Sequence, residues 1–375
     1  RSAFDEAMPV EFWREVVDRI NAEMPQTLLL AEAFWLMEGY FVRTLGMHRV
    51  YNSAFMHMMM KEENQKYHEL IKNTLEFNPE ILKRYVNFMS NPDEETAVNQ
   101  FGKGDKYFGI CVMLITMPGL PMFAHGQIEG FSEKYGMEYK RAYYNEFVDD
   151  YLVKRHEAEI FPLSQKRYLF SQVNNFELYD YINNDGTLNE SVFAFSNKHG
   201  DEKAIVLYNN SYEECSGIIN HSVNKAASNG SLYINKLADA AGIKNDSLFY
   251  YICKEHKSGL EYIFNGKEFH DYGFFVHLSG YEYKIFLNFR EVFDSTGIYR
   301  SAYEKLSGSG TLSLDMYLRE IRLVPVHDSL NTLLSQESFS KFENYCFNKD
   351  IASNDKDLIA DILNKTNLFI DGFNN

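Results

Sequence analysis

Basic residues and cysteine are the scarce parts of this 375-residue chain. Lys and Arg total 37 against 53 Asp and Glu, which leaves a formal net charge of −16. Binding nucleic acid without regard to sequence needs basic patches to neutralise phosphates, so this balance argues against that class. The four cysteines, Cys111, Cys215, Cys253 and Cys346, stand far apart with no Cys-x-x-Cys pair. Zinc spacing is missing, and reduced thiols in a cytoplasmic protein are expected. No apolar run reaches the roughly 18 residues of a membrane-spanning helix, so no membrane partner is expected. Ser53 and Ser90 lack a Gly-x-Ser-x-Gly context, and Gly102-Lys103-Gly104-Asp105-Lys106 lacks phosphate-loop spacing.

Aromatics are plentiful. They make up 15% of a chain that is 45% hydrophobic, a composition for packed cores rather than disorder. Rings stack on sugar faces, so the content suits a carbohydrate-binding protein, although most rings fill cores. The Met56-His57-Met58-Met59-Met60 run has helical spacing and reads as core filler before it reads as a copper site.

Three segments carry the functional signal: Leu28-Leu29-Leu30-Ala31-Glu32-Ala33-Phe34-Trp35, Asn87-Phe88-Met89-Ser90-Asn91-Pro92-Asp93-Glu94, and Pro118-Gly119-Leu120-Pro121-Met122-Phe123-Ala124-His125-Gly126. Each is a short apolar run ending in polar residues, flanked by helical patterns, which is the pattern of a buried parallel strand. In a (β/α)₈ barrel the chemistry sits where strands end. Glu32 and Asp93 then become two carboxylates delivered to one rim, the equipment for cleaving or transferring a sugar.

These segments resemble strand-end motifs of the α-amylase family of glycoside hydrolases. Ala31-Glu32-Ala33 is similar to the strand-five motif, Asn91-Pro92-Asp93-Glu94 to the strand-seven motif, usually Asn-His-Asp, and Pro118 to Gly130 to the strand-eight segment. The resemblance implies that Glu32 is the general acid/base and Asp93 the transition-state stabiliser. It also implies that Trp35, Asn91 and His125 contact substrate, an α-glucan or maltooligosaccharide. No cofactor is implied by this chemistry, and no ligand cluster compels a metal.

The departures are as informative. The family's nucleophile is an Asp in an Arg-x-Asp motif at the end of strand four. Arg1-Ser2-Ala3 has Ala at that place, and Asp5 falls two residues late. Pro92 replaces the usual His. The expectation is a C-terminal part of a longer enzyme, cut between strands four and five. The alternative is a non-catalytic, amylase-like carbohydrate-binding or scaffold protein.

Each candidate has a structural reading beside it. Glu32 follows three leucines and is flanked by Ala31, Ala33, Phe34 and Trp35, an apolar setting that would keep a proton on an acid, but such a Glu can also cap a helix or pair with Arg. Asp93 can stabilise positive charge on the sugar, or can be an Asx-turn residue or helix N-cap. Glu94 and Glu95 read as first-turn helix charges. His125 can meet substrate or bond to backbone, Trp35 can floor a subsite or pack, and Gln127 and Glu129 are weaker candidates.

The fold expected is α/β: the C-terminal half of a TIM (β/α)₈ barrel over 1–172, an antiparallel β-sandwich domain over 173–292, and a mostly helical segment over 293–375. Barrel strands are expected at Thr27–Leu30, Arg49–Ala54, Tyr85–Ser90 and Leu120–Ala124. Helices are expected at Pro9–Ala22, Met56–Leu75, Glu94–Met117 with a break at Gly102–Gly104, and Asp149–Phe170 broken by Pro162. In the β domain, Val192–Ser196 and Ala204–Asn209 read as a hairpin.

Overall fold

The computed structural model describes residues 6–7, 9, 11–33, 37–134, 140–347 and 355–374. The sequence expectations placed on Ala3, Asp5 and Trp35 lie outside them. Helix α1 (Phe12–Glu23) is capped by the Glu11 carboxylate, which accepts the Arg14 N–H at 2.8 Å. Four short strands follow: β1 (Leu30–Ala31), β2 (Arg49–Asn52), β3 (Tyr85–Phe88) and β4 (Leu120–Met122). They pair in chain order and every pair is parallel. Parallel neighbours need crossover connections. These are supplied by α2 (Glu38–Arg43), α3 (Ser53–Met60), α4 (Asn64–Phe77), α5 (Glu80–Arg84), α6 (Ala97–Phe101) and α7 (Asp105–Thr116).

Two helices differ from the sequence expectation. The stretch 56–75 is split into α3 and α4 because Glu62 takes φ 56°, a left-handed conformation that an α-helix cannot continue. The helix expected from Glu94 begins at Ala97, so Glu94 and Glu95 are loop residues rather than first-turn charges. Within α7, every residue from Tyr107 to Thr116 is buried, as its all-round apolar pattern requires. Met56 and Met59 are fully buried in the same core, which settles the methionine run as filler.

Gly119 allows β3 and β4 to meet. It has φ +105°, and a Cβ there would sit 2.5 Å from the Tyr85 carbonyl oxygen. Arg167 closes the same corner by donating to the carbonyls of Ile115, Met117 and Gly119, acceptors that the end of α7 would otherwise leave without partners. The expected helix over 149–170 is interrupted: α8 (Asp150–Arg155), a π turn at His156–Ile160, α9 (Phe161–Ser164) with Pro162 in its first turn, and α10 (Arg167–Phe170).

From Glu177 onward the pattern is antiparallel. Strands β5 (Glu177–Asn183), β6 (Val192–His199), β7 (Glu202–Asn209), β8 (Cys215–Ser222), β11 (Phe249–Glu255), β12 (Glu261–Asn265), β13 (Phe274–Leu278) and β14 (Tyr283–Phe293) form one sheet, in the order β12-β11-β14-β7-β6-β5-β8-β13. A separate pair is β9 (Lys225–Ala226) with β10 (Leu232–Tyr233). Where a sandwich of two sheets was expected, hydrogen bonding runs through all eight strands. The β5–β8 register shifts between Tyr179 and Tyr181, an irregularity at which a sheet can bend instead of splitting. The expected hairpin is β6–β7, with a tighter turn than its sequence suggested: His199 pairs with Glu202 across Gly200 and Asp201. Helix α7 meets β7 at Gly109, where an added Cβ would lie 2.0 Å from the Tyr208 ring.

The chain divides into two compact units, residues up to 259 with 264–292, and 260–263 with 293–375. The first unit also holds α11 (Leu237–Ala240) and α12 (Gly266–Tyr272), and the second contains α13 (Ile298–Leu306), α14 (Leu314–Leu333), α15 (Gln336–Phe347) and α16 (Asp355–Asn374). There Ser313 caps α14 by accepting the Met316 N–H, and Lys365 joins Ser338 on α15 to Asp361 on α16. All four cysteines are free thiols. Among the described residues no helix is long and apolar enough to cross a membrane.

Candidate active site: a carboxylate-lined cleft

Strand alternation decides which side chains reach the site. Ala31 and Val50 are paired and buried in the core. Glu32 and Tyr51, one residue further along each strand, therefore face the other way. Behind the strand ends, Asn52 Nδ2 donates to Asn87 Oδ1 at 2.8 Å and Asn87 Nδ2 to the Pro118 carbonyl at 3.4 Å. Both asparagines are buried. This polar rung joins β2, β3 and the approach to β4 beneath the loops.

Above it lies a cleft with two lobes. One, of about 490 Å³, is lined by Glu32, Tyr51, Asn91, Asp93, Phe123 and His125 among others. The other, of about 380 Å³, shares Glu32, Tyr51, Asn91, Asp93 and Glu94 and adds Glu38, His57 and Glu63. The structure thus brings Glu32, Asp93 and Asn91 to both lobes and His125 to the first.

The environment of Glu32 departs from the expected apolar one. Ala31 and Ala33 are buried, but they sit on the opposite face, and Glu32 itself is exposed. Asp93 is also exposed, and neither local structural role falls to it. The Asx turn belongs to Asn91, whose Oδ1 accepts the N–H of Asp93 at 3.0 Å and of Glu94 at 2.9 Å. The residue before α6 is Thr96. Lys134 further fixes the loop by donating to the Asp93 carbonyl at 2.6 Å.

His125 is exposed in its lobe, its ring 6.2 Å from Phe131. Gln127 is buried and turned inward. Its Oε1 accepts the Ala124 N–H at 3.1 Å, so it shapes the turn under His125 rather than meeting a ligand. Tyr107 supports the same turn, donating to the Gln127 carbonyl at 2.8 Å with its hydroxyl 2.9 Å from His156 Nε2.

Sequence reasoning missed several lining residues. Tyr51 borders both lobes and packs edge-on against Phe88. His57, inside the methionine run, lies 3.5 Å from Glu94. Glu38 is only 7% exposed, and burial pushes its carboxyl above the ordinary value, partly offset by its own backbone N–H. Glu133 accepts the N–H groups of Tyr143 and Tyr144. The neighbouring Glu146 is held below the ordinary carboxylate range: burial opposes this, but hydrogen bonds from Ser132 and Glu133 outweigh it. Among the described residues no three His, Cys, Asp or Glu groups are placed to hold a metal ion.

Solved structures offer a comparison. A debranching enzyme from Nostoc punctiforme matches 76% of this chain with a TM-score of 0.50 at 15% identity. Over the matched part the chain is similar in fold to that enzyme. Its likeness to an α-amylase from Anoxybacillus covers 76% of the chain at TM-score 0.49 and 14% identity. That to an α-amylase from Geobacillus thermoleovorans, solved with acarbose, covers 74% at 0.45 and 12%. The chain spans 56–57% of the length of these structures. No family model and no curated protein matches the sequence.

Chemically, the cleft offers several carboxyl groups, an imidazole in each lobe and aromatic faces, with Lys134 the one lysine or arginine among the described lining residues. Carboxylates accept hydrogen bonds from hydroxyl groups, and an acid–carboxylate pair of this kind can serve proton transfer and charge stabilisation.

Proposed function

We propose that this chain carries two of the three carboxylates of a retaining glycoside hydrolase or glucosyltransferase acting on α-glucans. Glu32 is the general acid/base and Asp93 stabilises the oxocarbenium-like transition state. The nucleophile Asp is not part of it. The observation that carries this reading is the shared cleft: Glu32 and Asp93 follow two strands of one parallel sheet and line the same two lobes. Tyr51 supplies a sugar-facing ring, Asn91 and His125 contact or shape the substrate path, and Trp35, outside the described residues, is assigned a substrate contact on the sequence resemblance alone.

In this reading residues 1–172 are the C-terminal half of a (β/α)₈ barrel, 173–292 a β domain and 293–375 a helical segment with a separate role. The exposed leucines of the parallel sheet support the half-barrel assignment. Leu28, Leu30 and Leu120 are 55%, 41% and 44% exposed, and a closed barrel would bury such side chains in its packed interior.

The test is to titrate the purified chain with maltooligosaccharides and to assay it for released reducing ends. Binding without turnover is expected, since loss of a catalytic group costs several orders of magnitude. Absence of binding overturns the glucan reading. Robust hydrolysis overturns the missing nucleophile and shows that another carboxylate of the chain takes its place.

A further inference from the structure

The Glu38 lobe contains a group that the acid and the stabiliser leave unexplained. Glu38 is 7% exposed. Among the described residues its carboxyl has no cation and no hydrogen-bond partner beyond its own backbone N–H. A buried carboxyl without a partner costs free energy, either as an unpaired charge or as an unused acid, and such groups concentrate at functional sites. Its lobe, about 380 Å³, falls within the range of small-molecule sites.

The lining narrows the occupant. Glu32, Glu38, Glu63, Asp93 and Glu94 all border this lobe, and among the described residues no Lys or Arg does. An anionic ligand would meet only repulsion. A metal ion has no converging set of three ligands among the described residues. An uncharged, hydroxyl-rich ring fits, because each hydroxyl both donates and accepts and the carboxyl groups can accept. Tyr51 provides an aromatic face on the same lobe.

We propose that Glu38 is a substrate-contacting residue, whose carboxyl hydrogen-bonds the hydroxyls of an uncharged sugar ring seated in the Glu38 lobe. This rests on the α-glucan reading of the cleft and adds to it a residue that fixes one ring in place. The carboxyl has two oxygens that can accept from two neighbouring hydroxyls, and burial, which raises its pKa, favours the acid form that also donates. The ring in turn supplies the polar partners that Glu38 lacks in the free protein.

Calorimetric titration with maltotriose tests this on the wild-type chain, Glu38→Gln and Glu38→Met, with thermal melting to show that each is folded. Gln keeps a donor and an acceptor in place, so its affinity should stay within about threefold of wild type. Met removes both and should weaken binding about tenfold or more. Should Glu38→Met not fold, Glu38→Ala, which empties the lobe instead of filling it, replaces it. Wild-type affinity in the Met or Ala variant overturns the proposal and leaves the glucan reading standing. An equal loss in the Gln variant would still support the contact, made through a charged carboxylate accepting from the hydroxyls. No binding by the wild-type chain removes both readings together.

Discussion

The Asn91 side-chain oxygen holds the backbone N–H groups of both Asp93 and Glu94, at 3.0 and 2.9 Å. The position of the Asp93 carboxylate is thus set from two residues upstream, by a side chain that also lines the cleft. Neither residue belongs to a helix or strand, so this turn and the Lys134 contact on the Asp93 carbonyl do the work that regular structure does elsewhere.

Asn91→Ala should accordingly release the loop. Two backbone donors lose their acceptor, at a cost of about 1 kcal/mol in this exposed setting. The effect on ligand should be larger than that on stability, because the Asp93 carboxylate moves. Maltotriose titration and urea unfolding on the same variant check this: affinity should fall severalfold while the unfolding midpoint shifts little. An unchanged affinity would mean that Lys134 alone positions the loop.

Gly109→Ala sets two effects against each other. Alanine favours a helix interior over glycine by about 1 kcal/mol. Against this, the new Cβ would lie 2.0 Å from the ring of Tyr208, which is fully buried and cannot swing aside. Overpacking of this kind costs about 1–3 kcal/mol, so the variant should be less stable than wild type in denaturant titration. Adding Tyr208→Leu should recover part of the loss.

Stability should also fall between pH 6.5 and 4. Burial lowers His68 and His156 from 6.5 to about 4, His68 stacked on Phe193 and His156 enclosed by Phe108 and Phe161. Above pH 6.5 both are neutral in the folded and unfolded chain, and stability is full. As pH drops below 6.5 the unfolded chain takes up protons first, so stability declines until the folded forms also titrate near 4. The loss is roughly 3 kcal/mol per histidine. Denaturant midpoints measured across this range should flatten in part for His68→Phe.

Glu38 has the opposite sign. Its folded value is raised, so its proton leaves the unfolded chain first as pH climbs, and the folded state loses stability as pH rises through the folded value. Glu38→Gln should melt higher than wild type at pH 8 and close to wild type at pH 4. Glu38→Met, if it gains stability at pH 8 while losing its ligand, would place Glu38 among residues held for function at a cost in folding.

The three later parallel strands were legible because each is an apolar run bounded by punctuation, whereas the first, expected as a buried strand at Thr27–Leu30, forms at Leu30–Ala31 with Leu28 and Leu30 exposed. Tyr85–Ser90 and Leu120–Ala124 needed only trimming by two residues at their C-terminal ends. Strand β8 was not legible: Ser216, Gly217, Asn220 and His221 interrupt its alternation, and its place is fixed by pairing with β5 and β13 rather than by its own propensity. The helix break at Glu62 was hidden because Lys61-Glu62-Glu63 favours helix locally, and only packing imposes a left-handed residue. At the site, Glu32 and Asp93 announced themselves by ending strand motifs. Glu38 did not, since a Glu at a helix start reads as an ordinary first-turn charge until its burial is seen. The pairing of Asn52 with Asn87 joins residues far apart in sequence and appears only once β2 and β3 are in register.

The brevity of the outer strands has a consequence for the chain's behaviour in solution. At the two margins of the parallel sheet stand β1, of 2 residues, and β4, of 3. A long, flat margin would act as a template on which further chains could polymerise. A two-residue strand offers too few backbone groups to nucleate such growth. On the opposite side, Pro121 has no N–H to give to an incoming strand. Both margins are therefore poor seeds for fibrils, and the apolar leucines beside them can stay open to a specific companion without inviting indiscriminate stacking.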